Sequence, residues 1–550
     1  MRIVRIQQFL NSTSLMRHLL TLLCLLLALP VLGVLVAWMA LDAAAWQVMR
    51  HQWQTVLPDY AWQSTVLALG VGLGVVLVGA FTAAAVTLFE FPGRKVLEWA
   101  LLLPLAMPAY VLAYAWTDAL QFSGPLQTGL RGLLGLKGAL WPDVRSLPFA
   151  TVLFVLCLYP YVYLLTRAAL GERAVRLMEA ARLLGASMRR RVLEVALPMA
   201  RPAIAAGAAL ALMETLADYG VGSYFGLTTF STGIYKAWLV MNDRIAAAQL
   251  AAVLLVVVAA LLMVERAAQR RLRFASNQNA ALSAEARPHR LTGALAAAVA
   301  LGCALPVLLG FVLPVLWLGA LLWRESQTTE LGLPWLRFAH WAWSSFQLAA
   351  TAAVLATALA LALAFVLRQR QGRLLQPAAR VLSLGYAVPG AVIAVGILLP
   401  VGWLQQQWPQ AGVAAAVTGT VLGLLYAYLV RFSAVALQSV EAGYARLPVA
   451  IDETARMLGS GAGRVFVQLH LPLLRRSAAA AALLVFVDVM KELPATLVLR
   501  PFGSDTLAVV AYNLARDERL AEAALPSLAI VWVGLIPVIL LSRALRTPAA

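Results

Sequence analysis

Four carboxylates stand where an apolar chain has little ordinary use for them. Glu214 and Asp218, and 274 residues later Asp488 and Glu492, are spaced four apart in stretches otherwise dominated by Ala, Leu, Val and Met. On a continuous helix that spacing puts both members of a pair on one face. Carboxylate oxygens are the ligands a hard cation prefers, so four of them facing one pathway could pass such an ion along. They could equally bond neighbouring helices, hold protons or pair with Lys491, and the residues alone leave both readings open. Lys491 has Ala217 as its counterpart in the earlier stretch, which argues against a symmetric coordination shell.

Those five residues are informative because their surroundings read as membrane spans, where ionisable groups are costly and usually functional. Of 550 residues 62% are hydrophobic and 12% charged, and the mean hydropathy of +0.82 excludes a water-soluble fold. About 20 apolar residues cross roughly 30 Å of hydrocarbon. Twelve stretches suffice: 19–41, 62–88, 99–117, 147–166, 202–225, 245–264, 292–322, 346–367, 378–399, 411–430, 477–497 and 525–542. The first is too long an apolar run to be a secretory signal and lacks a small-x-small cleavage site. With both termini inside, 31 of the 43 Lys and Arg fall on the cytoplasmic side, six of them from Arg431 to Arg476, and 11 fall outside. That is the bias expected of inward-facing loops. The formal charge of +18 is therefore a topology signal rather than a mark of nucleic-acid binding. The fold class expected is an all-α polytopic membrane protein of about 12 transmembrane helices.

The halves repeat. Glu179-Ala180-Ala181-Arg182-Leu183-Leu184-Gly185 leads to Leu197-Pro198, and Glu453-Thr454-Ala455-Arg456-Met457-Leu458-Gly459 leads to Leu471-Pro472, again at an offset of 274. Between Glu179 and Arg201 nine of 23 positions are identical to their partners, where about two are expected by chance. The polar segment 265–291 reads as a linker between a first domain, 1–264, and a second, 292–550. Two six-span halves make the repeats parallel, related by an axis along the membrane normal. Each motif reads as a short helix, a glycine that permits a left-handed turn, and re-entry into the membrane with proline in a first helical turn. Small alanines would let the helix lie in a partner's groove, with Glu179 or Glu453 supplying a charge.

This Glu-Ala-Ala-x3-Gly-x9-hydrophobic-x-Leu-Pro pattern resembles the loop signature of permease subunits of binding-protein-dependent ABC importers, present here twice, as in two permease domains of type I importer kind fused in one chain. The resemblance implies that loops 171–201 and 441–476 dock on an ATPase through Glu179, Ala180, Ala181, Gly185, Leu197 and Pro198, and through Glu453, Thr454, Ala455, Gly459, Leu471 and Pro472. Thr454 replaces the usual alanine with another small residue. The segments Glu214-Thr215-Leu216-Ala217-Asp218-Tyr219-Gly220 and Asp488-Val489-Met490-Lys491-Glu492-Leu493-Pro494 further resemble fused ferric-iron importer permeases. That likeness implies a periplasmic binding protein, two copies of a cytoplasmic ABC ATPase, a place in the bacterial inner membrane, and transient Fe3+ contact at Glu214, Asp218, Asp488 and Glu492. Thiamine, polyamine and sulfate importers share parts of the pattern and remain alternatives.

No G-x-x-x-x-G-K-[ST] phosphate loop occurs, so ATP and Mg are expected on the partner and no cofactor in this chain. Cys24, Cys157 and Cys303 lie far apart in apolar runs without metal-ligand spacing, and the five histidines are scattered, so no stably bound metal is expected. A secondary transporter with parallel halves could use the same carboxylates, but it gives no reason for two docking motifs. A lipid-modifying enzyme would need a catalytic constellation that the sequence lacks.

Overall fold

The computed structural model describes residues 2–39, 43–170, 175–276, 289–328, 332–369 and 374–546. The core of the expected linker, 277–288, and residues 171–174 of the first docking loop lie outside the described residues. The main helices, in chain order, are α1 (Arg2–Met39), α2 (Leu57–Leu88), α3 (Ala109–Leu120), α4 (Leu147–Ala169), α5 (Val175–Leu183), α6 (Met188–Ala217), α7 (Gly220–Tyr224), α8 (Arg244–Ser276) and α9 (Gly293–Thr328). The second half adds α10 (Trp335–Arg368), α11 (Gly390–Gln407), α12 (Leu422–Tyr444), α13 (Ala450–Met457), α14 (Leu471–Met490), α15 (Pro494–Leu499), α16 (Leu507–Arg516) and α17 (Leu520–Arg546). Helices dominate because hydrocarbon offers backbone N–H and C=O groups no partner outside their own segment.

Ten helices among the described residues are long and apolar enough to cross a membrane, or up to eleven if one pair bent by 93° counts as a span. Two of the twelve expected stretches fall short of that length or composition as single straight helices. The stretch 99–117 is broken at Met107-Pro108, where Pro108 is extended. The stretch 477–497 ends its helix at Met490, and Arg475, Arg476 and Asp488 lower its apolar character.

The helices pack in two compact units. One holds residues Met1–Trp46, Asp243–Ala252 and Leu336–Thr506, and within it α1 packs against α11 and α12. The approach is close enough that a Cβ on Gly396 would lie 2.1 Å from the Pro30 carbonyl oxygen. Nearby, the Tyr426 hydroxyl donates to the Leu26 carbonyl. That carbonyl is available because Pro30, four residues on, has no N–H to donate to it.

The other unit holds Gln47–Asn242, Val253–Trp335 and Leu507–Ala550. Its centre is α2, α4 and α6, with Gly207 of α6 so near Val162 that a Cβ would lie 2.6 Å from that residue's Cα. Here α9 packs on α3 and α4: Trp116 Nε1 donates to the Leu309 carbonyl (3.0 Å) and Trp317 Nε1 to Asp118 Oδ2 (2.9 Å). The first helix of each sequence half thus packs on helices of the other half, so the sequence repeat and the packing units divide the chain differently.

Candidate functional site

Each Glu-Ala-Ala motif forms a short helix closed by the same cap. After α5, Leu184 N donates to Ala180 O (3.1 Å), Gly185 N to Arg182 O (3.0 Å) and Ala186 N to Ala181 O (3.0 Å). After α13, Leu458 N donates to Thr454 O (3.0 Å), Gly459 N to Arg456 O (2.9 Å) and Ser460 N to Ala455 O (3.0 Å). The final bond in each set is the six-to-one closure that needs a left-handed residue before it. Gly185 at φ +80° and Gly459 at φ +79° provide it. The expected turn glycines are therefore present for the expected reason.

What this geometry displays is apolar. Leu183 and Leu184 are 89% and 88% exposed, and their repeat partners Met457 and Leu458 are 89% and 80% exposed. The alanine face does not point outward as a whole: Ala180 is exposed and Ala181 half-buried, while Ala455 is buried against its own unit. Glu453 is exposed, and Thr454 Oγ1 turns back to the Ala450 carbonyl (2.8 Å). The Glu179 side chain lies outside the described residues. The sequence reading missed the paired apolar side chains before each glycine, although both stand inside the repeated motif.

Each Leu-Pro proline stands in the first α-turn, as expected, but that turn follows a wider one without interruption. Leu197-Pro198 and Leu471-Pro472 do not start new helices; they lie in continuous ones, each preceded by a wider turn. Proline cannot donate, and the ladder slips by one residue, so Leu197 N reaches Val192 O and Leu471 N reaches Phe466 O. Pro314 in α9 does the same, with Leu313 N bonded to Leu308 O, which frees the Leu309 carbonyl that Trp116 takes up. Such single wide turns are tolerated where a bond must be skipped.

The two motif helices are anchored by different chemistry. Around α5, Leu88, Leu170, Met178, Ala196 and Ala200 form a buried apolar cluster. Around α13, Arg368 Nε lies 2.7 Å from Asp452 Oδ2, His470 Nε2 lies 2.6 Å from Asp452 Oδ1, and the Tyr444 hydroxyl lies 3.2 Å from His470 Nδ1. Arg368 also donates to the carbonyls of Tyr444 (3.2 Å), Leu447 (3.0 Å) and Pro448 (3.0 Å). Burial lowers the His470 pKa below its ordinary value, with the Asp452 charge pulling the other way. The neutral ring that results places its proton on Nε2 when Tyr444 donates to Nδ1. Arg368, Asp452 and His470 escaped the sequence reading because they are far apart in the chain and belong to no motif.

The intramembrane carboxylates divide into two kinds. Helix α6 ends at Ala217 and the chain turns extended after Asp218 (φ −70°, ψ 132°), so Asp218 keeps its i,i+4 register with Glu214 while closing the helix. Asp218 also caps α7, its Oδ1 accepting from Val221 N at 2.8 Å. Helix α14 likewise ends at Met490, and buried Glu492 accepts from Ala495 N (2.8 Å) and Thr496 N (2.9 Å) at the start of α15. The physical reason is shared: a carboxylate beside a chain break satisfies free N–H groups better than it continues a helix. Glu492 is further paired with Arg431 Nη1 at 3.3 Å. Arg431 lies buried within α12, which corrects its assignment to the cytoplasmic segment. Asp488 pairs with Lys491 Nζ at 2.9 Å. Glu214, half-buried one helical turn before its break, has no hydrogen bond or ion pair among the described residues. Around the α7 break the Tyr512 hydroxyl meets Ser223 Oγ at 2.8 Å and Tyr219 Oη at 3.3 Å, a hydroxyl group that sequence spacing did not reveal. Among the described residues no cluster of three His, Cys, Asp or Glu side chains could hold a metal.

Comparison with known proteins gives a match to the family of binding-protein-dependent transport system inner membrane components over residues 75–274. The chain is 24% identical over 490 residues to the Fe(3+)-transport system permease protein FbpB 2 of Haemophilus influenzae, covering 87% of this chain and 88% of that protein. It is 30% identical over 172 residues to the molybdenum transport system permease protein ModB of Escherichia coli, covering 30% of this chain and 72% of that protein. Against the spermidine/putrescine transport system permease protein PotC of Escherichia coli it is 28% identical over 185 residues, covering 32% of this chain and 63% of that protein.

Proposed function

Because the chain belongs to the binding-protein-dependent transport system inner membrane components, the multi-pass permeases of ABC importers, we propose that its substrate is ferric iron, received from a periplasmic binding protein and released into the cytoplasm. The observation that carries this reading is the similarity to an Fe(3+)-transport permease along 87% of the chain, through both repeats. In this reading 1–264 and 292–550 are two permease repeats, both termini are cytoplasmic, and two copies of a separate ATPase dock at α5 and α13. The twin caps and the twin exposed apolar pairs support two equivalent docking points. ATP and Mg belong to that partner. Along the path, Glu214 is the carboxylate free to meet a cation, whereas Asp218 and Glu492 hold the breaks and Asp488 is neutralised by Lys491.

The test is ATP-dependent uptake by the reconstituted complex, comparing labelled ferric ion with molybdate, spermidine, thiamine and sulfate. Accumulation of iron alone supports the proposal. Accumulation of another substrate without iron overturns the substrate and leaves the permease assignment intact. Uptake driven by an ion gradient without ATP would contradict the importer reading.

A further inference from the structure

The polar cluster on α13 and the apolar cluster on α5 occupy corresponding places in the repeat. At the offset of 274, Leu170 corresponds to Tyr444, Met178 to Asp452 and Ala196 to His470. Leu88 and Arg368 are the last residues of α2 and α10, the helices packed beside them. Three apolar positions in the first repeat have thus become phenol, carboxylate and imidazole in the second, and Arg368, whose counterpart at the same offset is Arg94, lies against the phenol and the carboxylate.

We infer that Arg368 and Asp452 form an ionic lock, with the neutral His470 ring seated on the same carboxylate, that positions the second docking element by charge where the described side chains of the first are held by packing. This rests on the docking reading proposed above. Arg368 joins three segments at once: the end of α10, the closing carbonyls of α12 with the loop after it, and the buried Asp452 of α13. His470 brings the wide turn at the foot of α14 against the same carboxylate, its Nε2 2.6 Å from Asp452 Oδ1. A guanidinium fork fixes orientation as well as distance, so α13 has one seat. Among the described residues the cluster under α5 is made of apolar side chains, which yield by repacking. The two docking elements are therefore unequal in stiffness, and the second is the one whose displacement is transmitted directly to α10 and α14. The lock consists of positioning residues: none of them belongs to the exposed surface that would meet a partner.

The experiment is amide hydrogen exchange on the whole chain in lipid nanodiscs, with ATP turnover by the ATPase-bound complex as second readout. Arg368→Met is expected to speed exchange of 450–457 at least tenfold, leave 180–183 unchanged, and lower substrate-stimulated ATP turnover by a similar factor. Arg368→Lys, which keeps the charge and loses the fork, is expected to fall between. Arg368→Met combined with Asp452→Met restores an apolar seat like that of Met178 and is expected to regain most of the protection lost in the single variant. The inference is overturned if 450–457 exchanges at the wild-type rate in Arg368→Met, or if the double variant exchanges as fast as the single one. Docking is judged separately: a wild-type chain that recruits no ATPase refutes that reading, whereas normal recruitment with unchanged exchange in Arg368→Met refutes only the lock.

Discussion

The exposed pairs Leu183-Leu184 and Met457-Leu458 make the docking reading quantitative. Fully burying such a side chain contributes about 1.5–3 kcal/mol, so one pair is worth about 3–6 kcal/mol before the losses of association. Because buried area converts poorly into affinity, the low end applies, and about 3 kcal/mol is roughly a hundredfold in Kd. Leu183→Asp with Leu184→Asp should therefore weaken ATPase binding at one element about a hundredfold. Adding Met457→Asp and Leu458→Asp should abolish co-purification of the ATPase. The chain itself should be indifferent: side chains 80–89% exposed make few internal contacts, so thermal stability should change by no more than about 0.5 kcal/mol per site. The assay is titration of the solubilised permease with its ATPase, alongside thermal unfolding of the permease alone. Undiminished ATPase binding by a folded quadruple variant would refute the reasoning.

The carboxylates and the lock lead to further expected outcomes. Glu214→Gln should lower iron uptake at least tenfold, whereas Asp488→Asn should do less because Lys491 already neutralises that carboxylate; equal effects in a transport assay would contradict the division. Asp218→Ala removes one cap and should cost about 1 kcal/mol, while Glu492→Ala also leaves Arg431 buried without its carboxylate and should cost about 3–5 kcal/mol, an order that thermal unfolding in detergent can check. The His470 pKa is lowered in the folded chain, so as pH falls below about 6.5 the unfolded chain takes up its proton first. Wild type should therefore lose stability relative to His470→Gln between about pH 7 and 5, and parallel melting curves would show that the imidazole does not titrate there.

Legibility in the sequence tracked the range of the interactions. The helical class, the repeat, the docking motifs and their turn glycines are local, set by hydropathy, spacing and one backbone conformation, and each was readable from a short window. The carboxylates were found for the same reason, as charges in apolar stretches. Their roles are not readable, because spacing does not mark the helix ends at Ala217 and Met490, beyond which Asp218 and Glu492 cap α7 and α15. Arg431 was assigned outside the membrane because a lone arginine near a span's expected end looks like a loop residue; its partner Glu492 lies 61 residues away. The exchange of α1 and α9 between halves leaves no local trace at all, since an apolar helix reads alike whichever neighbour it covers.

The Leu-Pro pair shows how a short motif acquires mechanical meaning. A proline that began a helix would leave a joint between the docking element and the membrane, and displacement at the docking end would be absorbed there. Here the N–H that proline lacks is skipped by the one-residue slip to Val192 and to Phe466, and the helix continues. In the first repeat α6 runs unbroken for 30 residues, roughly 45 Å at 1.5 Å per residue, more than the hydrocarbon thickness. It stops only at Ala217, beside Asp218 and one turn beyond Glu214. If the ATPase docks at α5 as proposed, the part of its displacement that the apolar seat does not absorb passes along this helix to the break, beside Glu214. Stiffening that break should then slow transport without weakening ATPase binding, which uptake and ATPase titration of the same variant would check.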